Sequence, residues 1–326
     1  MASEESREAA AQPVLAPLTM AAIFLVVTVN PGGEKTARDL LGDVAALQRS
    51  IGFGYPDGRL SCVVGVGSQA WDRLFEGPRP ENLHPFRELR GSRHTAVSTP
   101  GDLLFHIRAS RLDLCFGLAT EVMERLRGAV TVQDEVHGFM YLDARDLLGF
   151  VDGTENPEGG AARAAVLIGD EDPHFAGGSY VIVQKYLHDM VAWNALSVEE
   201  QERVIGRRKM NNVELDVPGS HVDLNTVSAP DGTELRILRD NMPFGRVGEG
   251  EFGTYFIGYA RTPEVTEQML RNMFLGAGSV SHDRILDFST AVSGTLFFVP
   301  SAEFLEELPA LPSAAAAAEP SSATAL

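Results

Sequence analysis

Runs of apolar residues with strand or helix periodicity divide the first half of the chain into regular elements. The β-branched run at 22–29 predicts a buried strand. In the segment after it, Leu40, Leu41 and Val44 recur at helical spacing. The predicted elements are, in order, a strand at 22–29, a helix at 34–49, strands at 60–66 and 102–108, a helix at 112–126 and a strand at 132–138. This β-α-β-β-α-β order is typical of a ferredoxin-like unit, in which helices cover one face of an antiparallel sheet.

A second series of elements follows a connection that is rich in Gly and Pro. Its predicted elements are a strand at 179–187, a helix at 198–207, strands at 235–239 and 254–259, a helix at 263–274 and a strand at 294–299. The two series share their order but little sequence. We therefore predict an α+β fold of two ferredoxin-like domains, with antiparallel sheets and helices packed on them. The predicted domains are 18–148 and 149–309, and the low-complexity ends, 1–17 and 310–326, are predicted to be disordered.

Charge and composition restrict the partners. Lys and Arg number 27 against 45 Asp and Glu, a net charge of -18. An acidic surface repels phosphate backbones and anionic membranes, so we expect neither nucleic acid nor a membrane as partner. The apolar run at 21–29 is too short to span a bilayer and lacks the basic residues that precede a signal sequence. Cys62 and Cys115 lie in apolar stretches, which predicts buried thiols and a cytoplasmic location.

Three polar stretches are candidates for chemistry. The motif GFVDGTENP at 149–157 sets Asp152 between two glycines, either as a turn that bonds its own backbone or as a carboxylate on a cavity wall. The motif PGSHV isolates His221, which is either an ordinary surface or core histidine or an axial haem ligand, a role that needs no spacing motif. The motif RDNMPFG places Arg239 and Asn241 at a strand end, as a plain ion pair or as part of a site.

Other templates are missing from the sequence. There is no zinc spacing, no GxSxG and no P-loop. A basic cluster, Arg207, Arg208 and Lys209, follows a predicted helix. It either complements the helix C-terminus or binds a carboxylated ligand.

Together and in this order, the three motifs resemble the dye-decolourising peroxidase family, most closely its bacterial B-type members. The resemblance extends from about 18 to 305. It implies a fold of the dimeric α+β barrel type, with haem b held mainly by the second ferredoxin-like domain. It also implies a peroxidase that reduces hydrogen peroxide through a ferryl intermediate and oxidises dyes, phenols or similar donors.

The resemblance also implies roles on the proximal side of the haem. His221 is the expected iron ligand, and Asp283 is the expected acceptor for its other ring N–H. Asp287, in the same segment, is the alternative acceptor. Arg208 is the expected partner of a haem propionate.

On the distal side the resemblance implies Asp152, Arg239 and Asn241. Asp152 can move a proton between the two peroxide oxygens if it is ionised, and Arg239 beside it favours the ionised form. Arg239 also stabilises negative charge on the departing oxygen, and Asn241 can hold the peroxide or a water. We expect Arg239 to contribute more than Asp152.

The resemblance also implies a homo-oligomer. It further implies that electron donors too large for the cavity react through surface aromatic residues. The candidate aromatic residues are Tyr141, Tyr180, Tyr186, Trp193 and Tyr255, with core packing as the alternative role for each of them. In some relatives the positions of Glu155 and Glu234 are suggested to hold manganese. The C-terminal tail lacks the Gly-Ile/Leu-Gly-Ser-Leu-type run of encapsulin-docking relatives, so encapsulation is not predicted. The alternative function is a haem-handling protein, which would need His221 but neither Arg239 nor Asp152.

Overall fold

The computed structural model describes residues 11–313. The strands are β1 Ala21–Val29, β2 Ser61–Gly67, β3 Leu89–Arg90, β4 Thr95–Ala96, β5 Leu103–Ala109, β6 Val130–Phe139, β7 Ser179–His188, β8 Val227–Ser228, β9 Glu234–Leu235, β10 Leu238–Arg239, β11 Met242–Arg246, β12 Glu251–Ala260, β13 Ser289–Ala291 and β14 Thr295–Val299. The helices are α1 Glu34–Gly52, α2 Ser68–Leu74, α3 Leu112–Arg125, α4 Gly159–Val166, α5 Met190–Asn194, α6 Val198–Ile205, α7 His221–Asn225, α8 Pro263–Leu275 and α9 Ala302–Glu306.

Strands from both halves join in one ten-stranded sheet, in the order β10-β12-β7-β14-β2-β5-β1-β6, with β11 beside β12 and β13 beside β7. The halves meet where β14 pairs antiparallel with β2, at Phe297 and Gly67. The sheet also curls, so that Met242 of β11 packs on Gly138 of β6. A Cβ added to Gly138 would lie only 2.6 Å from the Met242 Cβ. The two ends of the sheet therefore approach each other around an interior core.

Alternation along β1 divides its side chains between two cores. Ile23, Leu25 and Val27 point outward and pack in the core that includes α1 and α3. Ala22 and Phe24 point into the core enclosed by the curled sheet. The predicted α+β class, with antiparallel sheets and packed helices, is confirmed.

Most predicted elements are present, with two kinds of difference. The strand expected at 235–239 is two short strands, β9 and β10, which pair with β8 and β12 respectively. Short elements without periodicity, among them α7 and β11, were not predicted because too few residues carry the pattern.

The N-terminal segment is more ordered than its composition suggests. Val14 is fully buried, and Gln12 Nε2 donates to Val64 O (2.9 Å) and Pro300 O (2.8 Å). The prediction of disorder over 1–17 is therefore wrong for 11–17, because one side chain bonds the sheet backbone and another enters the core. Residues 310–313 are also placed, and Glu76 N donates to Ala310 O (2.8 Å). The remaining predicted disordered residues, 1–10 and 314–326, lie outside the described part of the chain.

Both cysteines are buried, as predicted. Within residues 11–313, no helix is long and apolar enough to cross a membrane.

Candidate active site

A large cavity lies in the C-terminal half, lined by β7, β12, α7, α8 and the loop before α4. It holds about 1430 Å³ free of protein atoms, part of it open to solvent. Its apolar lining includes Leu148, Phe150, Val151, Ile205, Val222, Phe256, Met269, Leu270, Met273 and Ile285. The cavity can therefore hold a large, mostly apolar ligand.

His221 lines this cavity at the first turn of α7. Ser220 caps the helix by accepting from Asp223 N (3.3 Å). The His221 Nδ1 atom lies 2.7 Å from Asp283 Oδ2, and the Asp283 side chain is fully buried. The Asp283 Oδ1 atom accepts from Ile285 N (3.0 Å), so Asp283 also caps the next 3₁₀ turn. The carboxylate thus fixes the imidazole ring and leaves Nε2 free of any partner among the described residues.

The alternative acceptor, Asp287, lies elsewhere. Its Oδ1 atom is 3.1 Å from both His94 Nε2 and His282 Nε2. The geometry therefore pairs His221 with Asp283 and not with Asp287.

A second histidine, His188, also lines the cavity but has both ring nitrogens occupied. Its Nδ1 atom is 2.8 Å from Ser289 Oγ, and its Nε2 atom is 2.9 Å from Thr254 Oγ1. Burial lowers the pKa of His188 to about 4. Of the two, only His221 presents a free ring nitrogen.

Asp152 and Asn241 form a hydrogen-bonded pair on the cavity wall. Asn241 Nδ2 donates to Asp152 Oδ2 (3.2 Å), while Asn241 Oδ1 accepts from Ile257 N (3.0 Å). Gly153 N donates to Asp152 Oδ1 (2.7 Å). The backbone N–H of Ile257 thus holds the Asn241 side chain, and that of Gly153 holds the Asp152 side chain. Strand β12 and the loop before α4 therefore position the pair rigidly.

Arg239 lines the same cavity and is positioned through its backbone. Asn156 Oδ1 accepts from Arg239 N (2.8 Å), and Asn156 Nδ2 donates to Arg239 O (2.7 Å). Asn156 lies in the GFVDGTENP motif, but the sequence analysis gave it no role. Among the described residues no ion-pair contact joins Arg239 to Asp152, whose carboxylate instead accepts from Asn241, but the two charges still attract each other across the site. Burial lowers the pKa of Arg239, and the nearby carboxylates, Asp152 first, oppose this shift.

The residue between Arg239 and Asn241 points the other way, as alternation in an extended chain requires. Asp240 is buried against Arg108, which donates to its Oδ2. His106 Nε2 lies 3.7 Å from the same oxygen, and burial lowers the pKa of His106 to about 3. This buried ion pair anchors the segment 239–241 on the side that faces away from the cavity.

Arg208 does not line the cavity, which corrects the predicted cofactor contact. Its Nη1 atom lies 2.7 Å from Glu202 Oε2, and half of its side chain is exposed. Its neighbour Arg207 lines the cavity and pairs with Glu155 and with Glu214 (3.0 Å). Because Gly206 ends α6 in the left-handed region (φ 93°), the next residues extend and alternate sides. The motif alone does not reveal which arginine faces inward.

Asp146 is a cavity residue that the sequence analysis missed. Phe150 N donates to its Oδ1 atom (2.9 Å), and the side chain lines the cavity. Burial raises the pKa of Asp146 to about 7. No motif marked it, because it lies just outside GFVDGTENP.

The expected surface aromatic residues are mostly internal. Tyr180, Tyr186, Trp193 and Tyr255 are buried, and only Tyr141 is partly exposed. For the buried four, the prediction of a surface role is wrong and the packing alternative holds, because their rings lie in the cores, Tyr186 also facing the cavity.

Two sequence models of one family cover nearly the whole described chain. Residues 11–140 match the N-terminal model of Dyp-type peroxidases, and residues 143–304 match the C-terminal one. The chain belongs to the Dyp-type peroxidase family. The predicted family and enzyme class are thereby confirmed.

Relatives of this Dyp-type peroxidase support the same conclusion. A dye-decolorizing peroxidase of Mycolicibacterium paratuberculosis is 62% identical over 95% of this chain and 88% of its own length. The encapsulated DyP-type peroxidase of Mycobacterium smegmatis is 61% identical, with a TM-score of 0.91 over 93% of this chain and 99% of that chain. A DypB variant of Rhodococcus jostii RHA1 in complex with heme is 58% identical, with a TM-score of 0.89 over 92% of this chain and 99% of that chain. The haem-handling alternative is not favoured.

Proposed function

We propose that this peroxidase binds haem b in the cavity, where His221 would hold the iron, and oxidises dyes, phenols or similar donors with hydrogen peroxide. The observation that carries the proposal is the 2.7 Å contact of His221 Nδ1 with the buried Asp283, at the wall of a cavity that also collects Asp152, Arg239 and Asn241. An imidazole with one nitrogen bonded to a carboxylate is a typical protein ligand for iron.

The residues present fit such a cofactor. The cavity is wide, its lining is mainly apolar, and a single imidazole nitrogen is free to bind a metal. Arg207 supplies a cation for a propionate group at the cavity wall, in place of the predicted Arg208. When bound, haem would supply the redox chemistry that takes up the oxidising equivalents of peroxide and passes them to the donor.

Asp152 is proposed to move the proton. Before the O–O bond breaks, one peroxide oxygen loses a proton and the other gains it. The Asp152 carboxylate accepts hydrogen bonds from Gly153 N and Asn241 Nδ2, which hold it at the cavity wall where it can take up a proton. Asn241 keeps the receiving oxygen in one orientation.

Arg239 is proposed to stabilise the negative charge that develops on the departing oxygen. Its side chain is partly buried and has no direct carboxylate partner among the described residues, so its charge acts on the cavity. Burial lowers its pKa, but the ordinary pKa of arginine is so high that the group stays charged at neutral pH. A fixed charge in a water-poor site stabilises such an oxyanion far more than water does.

Asp283 is proposed to hold His221 in the correct tautomer. As an acceptor for Nδ1–H it fixes the orientation of the ring, so that Nε2 would face the metal. Asp283 acts through His221 and touches neither peroxide nor donor.

An absorption spectrum of haem-loaded protein, before and after one equivalent of peroxide, tests the proposal. We expect a ferric histidine-ligated spectrum that changes rapidly with peroxide and is lost in His221→Ala. His188→Gln is the matched control, because His188 lines the same cavity but has no free nitrogen. If His221→Ala kept the ligated spectrum and His188→Gln lost it, the assignment of the axial ligand would be wrong.

We further propose a cytoplasmic homo-oligomer. The relative from Mycobacterium smegmatis is encapsulated. Co-expression with an encapsulin and co-purification of the shell would test whether this chain docks as well.

A further inference from the structure

Two histidines and one carboxylate converge outside the cavity, where the two halves of the chain meet. His94 Nε2 and His282 Nε2 each lie 3.1 Å from Asp287 Oδ1, and the three atoms lie within 4.8 Å of one another. The two rings are 4.9 Å apart between centroids. We propose that this two-histidine cluster (His94, His282 and Asp287) binds a divalent first-row transition-metal ion such as Zn²⁺.

The backbone fixes the positions of the cluster. His94 lies on the turn between β3 and β4, where Gly91 N donates to His94 O (2.9 Å). A Cβ on Gly91 would lie 1.9 Å from Phe274 O, so the turn approaches the end of α8 as closely as only glycine allows. On the other side, Asp283 N donates to Met273 O (2.7 Å), which anchors the segment that carries His282. The cluster is therefore held by both halves of the chain.

The distances suit a small metal ion. Zinc lies about 2.0–2.2 Å from nitrogen and oxygen ligands, so neighbouring donor atoms of a tetrahedral site are about 3.3–3.6 Å apart. The two 3.1 Å contacts with Asp287 Oδ1 are slightly shorter than this, so the donor atoms need to move apart by only a few tenths of an ångström (~0.2–0.5 Å) to admit the ion. One ring must rotate slightly to bring the two histidine Nε2 atoms to the same separation. His94 can do this because 23% of its side chain is exposed. His282 is oriented by its Nδ1 contact with Ser281 Oγ (3.0 Å).

The donor set selects the class of metal. Two imidazoles favour Zn²⁺, Cu²⁺ or Ni²⁺ over Mg²⁺, Ca²⁺ and Mn²⁺, which prefer oxygen ligands. Asp287 is partly exposed, so water can complete a coordination shell with three protein ligands. The opposing charge is Arg93, whose Nη1 atom lies 3.8 Å from Asp287 Oδ1, but 66% of its side chain is exposed and it can turn into solvent.

A metal here would also clamp a turn that matters for the cavity. His282 precedes the 3₁₀ turn Arg284–Asp287 and Asp287 ends it, while Asp283 caps it. An ion bound at both ends of the turn would restrain Asp283, the acceptor for His221. This consequence rests on the proposed function, whereas the metal binding itself does not.

Equilibrium dialysis of the tag-free, haem-loaded protein against micromolar Zn²⁺, followed by elemental analysis, tests the proposal, because zinc is measured separately from haem iron. We expect one zinc per chain. We expect His94→Ala and Asp287→Asn to bind at least about tenfold more weakly. The matched control is His137→Ala, since His137 forms an exposed pair with Glu135 (2.7 Å) without a second histidine, and it should bind as wild type does.

Thermal unfolding gives a second readout. Zn²⁺ should raise the Tm of wild type and of His137→Ala but not that of His94→Gln, because only a ligand bound to the folded state stabilises it. The absence of stoichiometric zinc in wild type, or equal zinc affinity in wild type and His94→Ala, would show that the cluster is only a hydrogen-bonded link between the halves.

Discussion

The two halves of this peroxidase use the same order of elements, yet one half is filled and the other encloses a cavity. In the N-terminal half, the outward row of β1 is apolar throughout and packs in the core with α1 and α3. In the C-terminal half, the outward row of β7 begins with Tyr180 and Ile182, which enter the same core. It then continues with Gln184, Tyr186 and His188, which line the cavity. The change from apolar to polar along one strand face separates a closed core from a binding site.

The polar row is stabilised by its own contacts, since buried polar groups are costly without partners. Tyr186 donates to Gln184 Oε1 (2.8 Å), and His188 is bonded to Ser289 and Thr254. Gln184 Nε2 has no partner within residues 11–313. A helix packed directly on this face would leave further polar groups unpaired, so the same scaffold closes in one half and stays open in the other.

Substitutions in the two rows should have unequal effects on stability. Leu25→Ala in β1 should lower the free energy of unfolding by about 2–5 kcal/mol, because it leaves a cavity in a filled core. Gln184→Leu should change it by about 1 kcal/mol or less, since the lost Tyr186 hydrogen bond is offset by removal of an unpaired amide. Urea unfolding of both variants measures the difference. Equal losses would mean that the polar row stabilises the fold as much as the apolar row does.

The sequence predicts well what depends on local pattern. Periodicity identified the long strands and helices of both halves. The RDN spacing places Arg239 and Asn241 on one side of an extended chain and Asp240 on the other, as the structure has them. By contrast, the β14–β2 pairing that joins the halves depends on Phe297 and Gly67, which are far apart in sequence, and no local pattern encodes it.

Two assignments in the site, one arginine and one aspartate, depend on the side of the backbone to which each side chain points. Arg207 rather than Arg208 lines the cavity because Gly206 ends the helix in the left-handed region. Since the two residues are both arginine, the sequence does not show which of them faces inward. Asp283 rather than Asp287 reaches His221 because the first caps the 3₁₀ turn and the second ends it. Both questions require knowledge of where a short turn begins.

Within the open half, the charge should matter more than the proton acceptor. Arg239→Leu should lower the rate of peroxide reduction by about 10²–10³, the usual loss when a preorganised charge or donor is removed. Asp152→Ala should cost less, because water in the cavity can still relay the proton while Arg239 stabilises the departing oxygen. Stopped-flow mixing with peroxide measures both rates. Arg236→Leu is the matched control, since Arg236 lines the same cavity but pairs with Glu234 (2.8 Å). The reverse order of losses would make Asp152 the essential group.

A smaller effect is expected behind His221. Asp283→Asn keeps an oxygen to cap the turn at Ile285 but removes the charge opposite His221 Nδ1. We expect haem affinity or peroxide reactivity to fall by about 10–100-fold with little change in Tm. Asp283→Glu should restore part of the loss, because the carboxylate returns. A large drop in Tm with unchanged haem affinity would show that Asp283 serves the fold alone.

The smallest expected effect is on the pH dependence of stability, at the edge of the open half. Burial raises the pKa of Asp146 to about 7 from about 3.9 in the unfolded chain. Between about pH 4 and about pH 7, the folded state therefore keeps a proton on Asp146 that the unfolded chain has lost. The contribution of Asp146 to stability is fully present below about pH 4 and is lost as the pH rises through 7.

Asp146→Asn mimics the protonated form and keeps the acceptor for Phe150 N. Its unfolding free energy should match that of wild type near pH 4 and exceed it at pH 8. The slope of the difference should be a fraction of the about 1.4 kcal/mol per pH unit that a full proton gives, because water in the cavity screens the charge. The exposed Asp143→Asn is the control, in which this difference should be missing. If Asp146→Asn followed the wild-type curve across the whole range, the carboxylate would be hydrated in the folded state, and the polar face of the open half would extend further into solvent than its lining indicates.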